Sequence, residues 1–258
     1  NEISAYLREN QKAIIERIYR GKYTPDPVKR VEIPKPDGGI RKLGIPTVKD
    51  RILQQAITQQ LMPIYEAIFS DNSYGYRPGK SAKDGITKVK EYAEQGYTHA
   101  VSLDLSKYFD TLNHEMLLNI LRRDIKDERV IQWIKRYLKS GVMENGVVVE
   151  TEEGSPQGGN ISPLLANIYL NEFDHEFEKR KVAFVRYADD IVILAKSDRA
   201  AKRLLETSTK YLEEKLKLKV NQKKSRVVSV FAIRNFKFLG FTLGKNGKGI
   251  YVRVHGKS

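Results

Sequence analysis

Apolar positions along this chain switch between two spacings, and each switch predicts an element. Residues 3–20 set Ile3, Leu7, Ile14, Ile15 and Ile18 among Arg, Lys and Glu, the spacing of an amphipathic helix that stops at Gly21. Glu9 and Asn10 predict a break within it. Two prolines make residues 23–27 an extended connector. Strands are expected over 31–35 and 40–45, joined by a turn at Pro36-Asp37-Gly38-Gly39. A helix is expected over 50–68, which Pro63 should kink or end. A polar, aromatic and basic loop at 69–81 precedes another helix and then a strand at 100–105.

The second half repeats both spacings. Helices are expected at 114–123, capped by Asn113 or Thr111, and at 129–139. Asn145-Gly146 signals a hairpin over 142–150. A glycine-rich loop at 154–159 feeds a long helix over 162–179. Apolar runs on either side of Tyr187-Ala188-Asp189-Asp190 predict a hairpin over 184–194 with that tetrapeptide at or beside its turn. A helix over 199–216, capped by Ser197 or Asp198, follows, and residues 236–243 and 249–254 form a last hairpin.

The acidic turn is where chemistry enters. Adjacent carboxylates repel, and setting them between two hydrophobic strands is costly unless a cation joins them. Hard carboxylate oxygens suit Mg²⁺. Asp104 ends another apolar strand, so Asp104 and Asp189 should meet on neighbouring edges of one sheet. Such a trio could hold two Mg²⁺ about 3.5–4 Å apart, the arrangement used for in-line phosphoryl displacement.

Charge narrows the partner. The chain carries 46 Lys and Arg against 32 Asp and Glu, a net charge of +14, which points to a polyanion, nucleic acid ahead of membrane. No apolar run approaches about 18 residues and no signal-like segment opens the chain, so it is expected to be neither secreted nor membrane-spanning. The absence of Cys excludes disulfides and thiolate metal sites, and the four histidines lack ligand spacing. Opening on Asn1, the chain reads as a trimmed piece.

Tyr187-Ala188-Asp189-Asp190, with Asp104 five positions before Phe109, resembles the active site of reverse transcriptases. The block Gly154-Ser155-Pro156-Gln157-Gly158-Gly159-Asn160-Ile161-Ser162-Pro163-Leu164-Leu165-Ala166-Asn167-Ile168-Tyr169-Leu170 is similar to that of group II intron-encoded reverse transcriptases, or maturases. The resemblance implies an α+β fold, a right-hand polymerase reduced to fingers (1–96 and 124–153) and palm (97–123 and 154–258), with the thumb absent. It implies RNA-directed DNA polymerase activity with two Mg²⁺, or Mn²⁺ in their place, held by Asp104, Asp189, Asp190 and the Leu105 carbonyl. Partners would be intron and template RNA, a DNA primer and dNTPs, in a bacterial cytoplasm or an organelle.

Further roles follow from the same resemblance. Lys35 and Arg41 on the basic hairpin would contact the triphosphate, where Arg offers a fork and Lys a point charge. Gln157 would lie against the nucleotide sugar and Phe109 beneath it as a gate. Lys224, with Lys223 as the adjacent alternative, would sit near the leaving pyrophosphate. Arg77 would lie near template backbone, and Gly240 would belong to a primer-gripping hairpin. Two other readings stay open: a non-catalytic RNA-binding splicing maturase, and a reverse transcriptase of another bacterial lineage such as a retron.

Overall fold

The computed structural model describes residues 2–34, 38–144, 147–149, 153–155 and 158–256. In chain order the elements are α1 (Glu2–Tyr19), β1 (Val28–Pro34), β2 (Ile40–Ile45), α2 (Val48–Glu66), α3 (Ala82–Glu94) and β3 (His99–Leu103). A single 3₁₀ turn at Tyr108–Asp110 precedes α4 (His114–Asp124), α5 (Glu128–Lys139), β4 (Val142–Glu144) and β5 (Val147–Val149). Then come α6 (Ser162–Lys179), β6 (Ala183–Tyr187), β7 (Asp190–Ala195), α7 (Asp198–Lys210), β8 (Arg226–Ser229), β9 (Phe241–Asn246) and β10 (Gly249–Val254). No described helix is long and apolar enough to cross a membrane.

These elements group into two compact units, Asn1–Ile57 with Leu112–Ser162, and Thr58–Thr111 with Pro163–Ser258. The expected boundaries fell at 96/97, 123/124 and 153/154. One reason for the difference is that α3 packs on β6, β9 and β10, so residues 82–94 share a core with the strands of the second unit.

In the first unit a sheet runs β2-β1-β4-β5, antiparallel except for the parallel β1–β4 pair. Helices α4 and α5 bury Leu117, Leu118, Leu121, Ile131, Ile134 and Leu138. Asn113 caps α4 by accepting from the Met116 amide. Buried Asp50 accepts from Tyr23 Oη, Thr47 Oγ1 and the Asp26 amide, tying the proline-rich connector to α2.

In the second unit the sheet runs β6-β7-β3-β8 with every neighbour antiparallel. Side chains alternate between its faces. Val185, Val192, Leu194 and Ala100 join Ile86 and Val89 of α3, with Phe236, Phe238 and Leu243, in one core. From the other face Phe184 meets Phe173 of α6 edge to face, 5.9 Å between centroids, and Phe173 stacks on Phe177.

Three local expectations are corrected. Helix α1 is unbroken at Glu9 and Asn10, because Asn10 turns its amide back onto the Tyr6 carbonyl of the preceding turn. Pro63 does not end α2: the helix runs on to Glu66, although a proline there leaves the Gln59 carbonyl without its ladder donor. Residues 236–240 are not strand: Leu239 and Gly240 take φ of 53° and 85° in a tight turn closed by reciprocal Phe238–Phe241 amide bonds.

Candidate active site

The β6–β7 hairpin is paired down to Tyr187 and Asp190, leaving Ala188-Asp189 as a two-residue tip. Ala188 sits at φ 55°, a region an L residue rarely occupies. Asp104 lies one position beyond the last β3–β7 pair, Leu103–Ile191, so it stands across from Asp190. Directly opposed residues of an antiparallel pair share a face, and the two carboxylates therefore crowd one sheet edge.

That edge is fixed from a third segment. The Asp104 amide donates to Ser225 Oγ at 3.0 Å, and its carbonyl accepts from the Asn221 amide at 2.8 Å. Ser106 donates its amide to the Lys219 carbonyl, and Leu105 bridges Val220. The turn that carries exposed Lys223 and Lys224 is thereby tied to the Asp104 strand end.

Electrostatics mark the same place. Asp190 reaches solvent, yet packing around its carboxyl, followed by the charges of Asp189 and Asp104, pushes its pKa up to about 6. A divalent ion would relieve that crowding, and hard carboxylate oxygens are its natural donors. The residues fit an ion in chemistry. They are not drawn into a ready-made coordination group, since no three described acidic, His or Cys residues converge that far.

Phe109 follows in the 3₁₀ turn, half-buried, with its ring edge to face on Tyr108 at 5.5 Å. Tyr108 is buried and donates its hydroxyl to the Ala166 carbonyl. Gly240 stands in the tight turn before β9, its carbonyl accepting from the His255 amide. Arg77 has a different setting from the one expected. It is buried, pairs through Nε and Nη2 with Glu66, and donates from Nη1 to the Ser70 and Ser73 carbonyls. Its guanidinium is committed to the end of α2 and to its own loop.

In the other unit Arg41 is exposed on β2 opposite Ile33. Lys35 and Gln157 lie outside the described residues. The glycines beside Gln157 are tightly set. A Cβ on Gly158 would come within 2.9 Å of the Gly44 carbonyl, and one on Gly159 within 1.9 Å of Tyr137 Oη. Below them Ser162 Oγ bonds both Ser155 Oγ and Tyr137 Oη, and His114 Nε2 meets the Gly154 carbonyl at 2.6 Å.

Sequence reasoning missed the buried groups behind the acidic turn: Arg186, Asp174, Asn167 and Gly75. One signal was available, since Arg186 is a lone cation in an otherwise apolar strand and such a charge needs a buried partner.

A family model described as reverse transcriptase (RNA-dependent DNA polymerase) matches residues 33–243. Protein YkfC of Escherichia coli (strain K12) is 35% identical over 279 residues, covering 93% of this chain and 73% of that protein. The group II intron-encoded protein LtrA of Lactococcus lactis subsp. cremoris is 35% identical over 225 residues, covering 86% of this chain but 36% of LtrA. Among solved structures, telomerase from Candida albicans in complex with a fragment of telomeric RNA aligns with a TM-score of 0.67 at 12% identity, over 97% of this chain and 50% of that one. At that identity the likeness is one of fold.

Proposed function

Because the chain belongs to the reverse transcriptase (RNA-dependent DNA polymerase) family, we propose that it extends a DNA primer along an RNA template and serves a group II intron. The observation that carries this reading is the placement of Asp104 across from Asp190, beside the Asp189 tip, with the Lys224 turn bonded to the same strand end.

Asp104 and Asp189 would hold divalent ions and Asp190 would assist; when bound, such ions activate the primer 3′-OH and stabilise the leaving pyrophosphate. The chain's own contributions are positional. Ser225 and Asn221 hold the Asp104 backbone, so its carboxylate is presented from a fixed strand end. Lys224 supplies a cation for the charge that develops on the leaving group. Phe109, braced on buried Tyr108, offers a ring against the nucleotide sugar. The roles of Lys35, Arg41 and Gln157 toward the nucleotide rest on the family resemblance, as does the division into fingers and palm. The net charge of +14 supports RNA as the partner, and LtrA, an intron-encoded protein, supports intron RNA in particular.

Primer extension on poly(rA)/oligo(dT) with Mg²⁺ tests the reading, run beside an assay of intron splicing. Extension supports it. A protein that assists splicing yet extends no primer would be a non-catalytic maturase instead.

A further inference from the structure

The tip that carries Asp189 is held from below by groups with no part in the chemistry proposed above. Arg186 is wholly buried on β6, two residues before Ala188. Its Nε bonds both carboxylate oxygens of Asp174, at 2.8 and 3.0 Å, and Asp174 is equally buried on α6. Its Nη1 donates to Asn167 Oδ1 at 2.8 Å and to the Ala188 carbonyl at 3.0 Å. One guanidinium thus joins a buried carboxylate, a buried amide and the residue in the left-handed conformation.

The loop before α3 closes the other side. Tyr74 donates its amide to the Arg186 carbonyl, and Arg186 donates its amide to the Asn72 carbonyl, so this loop extends the sheet past β6. Asn167 Nδ2 donates to the Gly75 carbonyl at 2.7 Å. Gly75 lies so close to the tip that a Cβ there would come within 2.3 Å of the Ala188 nitrogen. Its φ is not positive, so glycine is required for space and not for backbone freedom. Arg77 braces the loop through Glu66 and the Ser70 and Ser73 carbonyls.

We propose that Arg186, Asn167 and Gly75 form a cradle that fixes the Ala188 tip and so aims Asp189, which makes them positioning residues for nucleotidyl transfer. A buried Arg–Asp pair alone would be an ordinary fold element. What sets this one apart is that the same guanidinium reaches the Ala188 carbonyl, and that Asn167 couples it to the loop touching Ala188 from the opposite side. Asp189 follows Ala188 directly, so freeing that carbonyl or pushing that nitrogen re-aims the carboxylate. The inference rests on the active-site reading above.

Two variants test it. Gly75→Ala removes no bond or charge but crowds the Ala188 nitrogen. Arg186→Lys keeps a cation opposite Asp174 but lacks the fork that reaches Asn167 and Ala188 together. Mn²⁺ binding is read by electron paramagnetic resonance, and primer extension as kcat and dNTP KM per folded molecule, with Asp189→Asn as reference. The cradle predicts Mn²⁺ affinity and kcat each down about 10–100-fold in both variants, the loss typical of groups that orient metal ligands, with dNTP KM little changed. Lowered thermal stability with wild-type Mn²⁺ affinity and kcat would overturn the cradle and leave the active site standing. Wild-type protein that binds no Mn²⁺, or Asp189→Asn that binds it equally, would overturn the active-site reading and the cradle with it.

Discussion

Asp104 stands across the β3–β7 pair from Asp190, one step beyond Leu103–Ile191, where the ladder stops and the carboxylates begin. The position is an edge of a sheet whose interior is close-packed with Val101, Leu103, Ile191 and Ile193. Carboxylates this near one another persist at a sheet edge only if their backbones are held and their charge is answered.

The holding is testable at Ser225. Its hydroxyl accepts from the Asp104 amide, and Ser225→Ala leaves that part-buried N–H without its partner. A loss of about 1–3 kcal/mol is expected, seen as a lower melting temperature. Extension should fall about tenfold or more, since small misplacements of reacting groups are costly. Unchanged stability and rate would show that the bond does not matter.

His114 gives a pH dependence with a definite sign. Burial, the largest influence, holds its imidazole below the usual histidine range against the opposing pull of the Gly154 carbonyl. Among the described residues its buried Nδ1 has no hydrogen-bond partner, so a second ring proton would meet none there. The unfolded chain therefore takes up that proton more readily than the folded one. Its contribution to stability is complete above the unfolded value of about 6.5 and is lost as pH falls below it. Melting temperature should drop between pH 7 and 5, and His114→Gln should flatten that part of the curve. An unaltered slope would contradict the assignment.

Phe109 separates a sugar gate from a core residue. As a gate, Phe109→Val keeps dNTP incorporation measurable while rNTP incorporation rises sharply. As packing on Tyr108 alone, the change costs about 1–3 kcal/mol with sugar discrimination unchanged. Single-nucleotide incorporation by folded protein decides between them. Its half-buried setting leaves part of the ring able to meet a ligand.

The surplus of cations predicts RNA binding that weakens steeply with salt and shows little sequence preference. Filter binding between about 50 and 200 mM salt should show a fall of orders of magnitude if several phosphates are contacted. A nearly flat response would argue against phosphate contacts as the main source of affinity.

What could be read from the sequence was what periodicity and local chemistry encode. Short continuous apolar runs placed β3, β6 and β7, and with them Asp104 and the hairpin end that carries Asp189 and Asp190, because each strand's burial is written in its own residues. The hairpin of β1 and β2 and the long helix α6 came from the same signals. What was missed depends on distant partners. Arg77 looks like a surface cation until Glu66 and two carbonyls are seen to surround it. Arg186 is legible as an anomaly, but nothing local names Asp174 or the Ala188 carbonyl as its targets. Gly75 reads as a loop glycine, and only the folded tip shows that its missing side chain makes room for Ala188.

The most direct measurement is primer extension on an RNA template by Asp104→Asn and Asp189→Asn, with RNA affinity measured on the same preparations. Each change removes one negative charge at nearly constant shape from the edge shared with Asp190. The account predicts that extension is abolished in both while RNA affinity stays close to wild type. Extension within about tenfold of wild type, an effect of only about 1.4 kcal/mol on the barrier, would contradict the assignment of these carboxylates to catalysis.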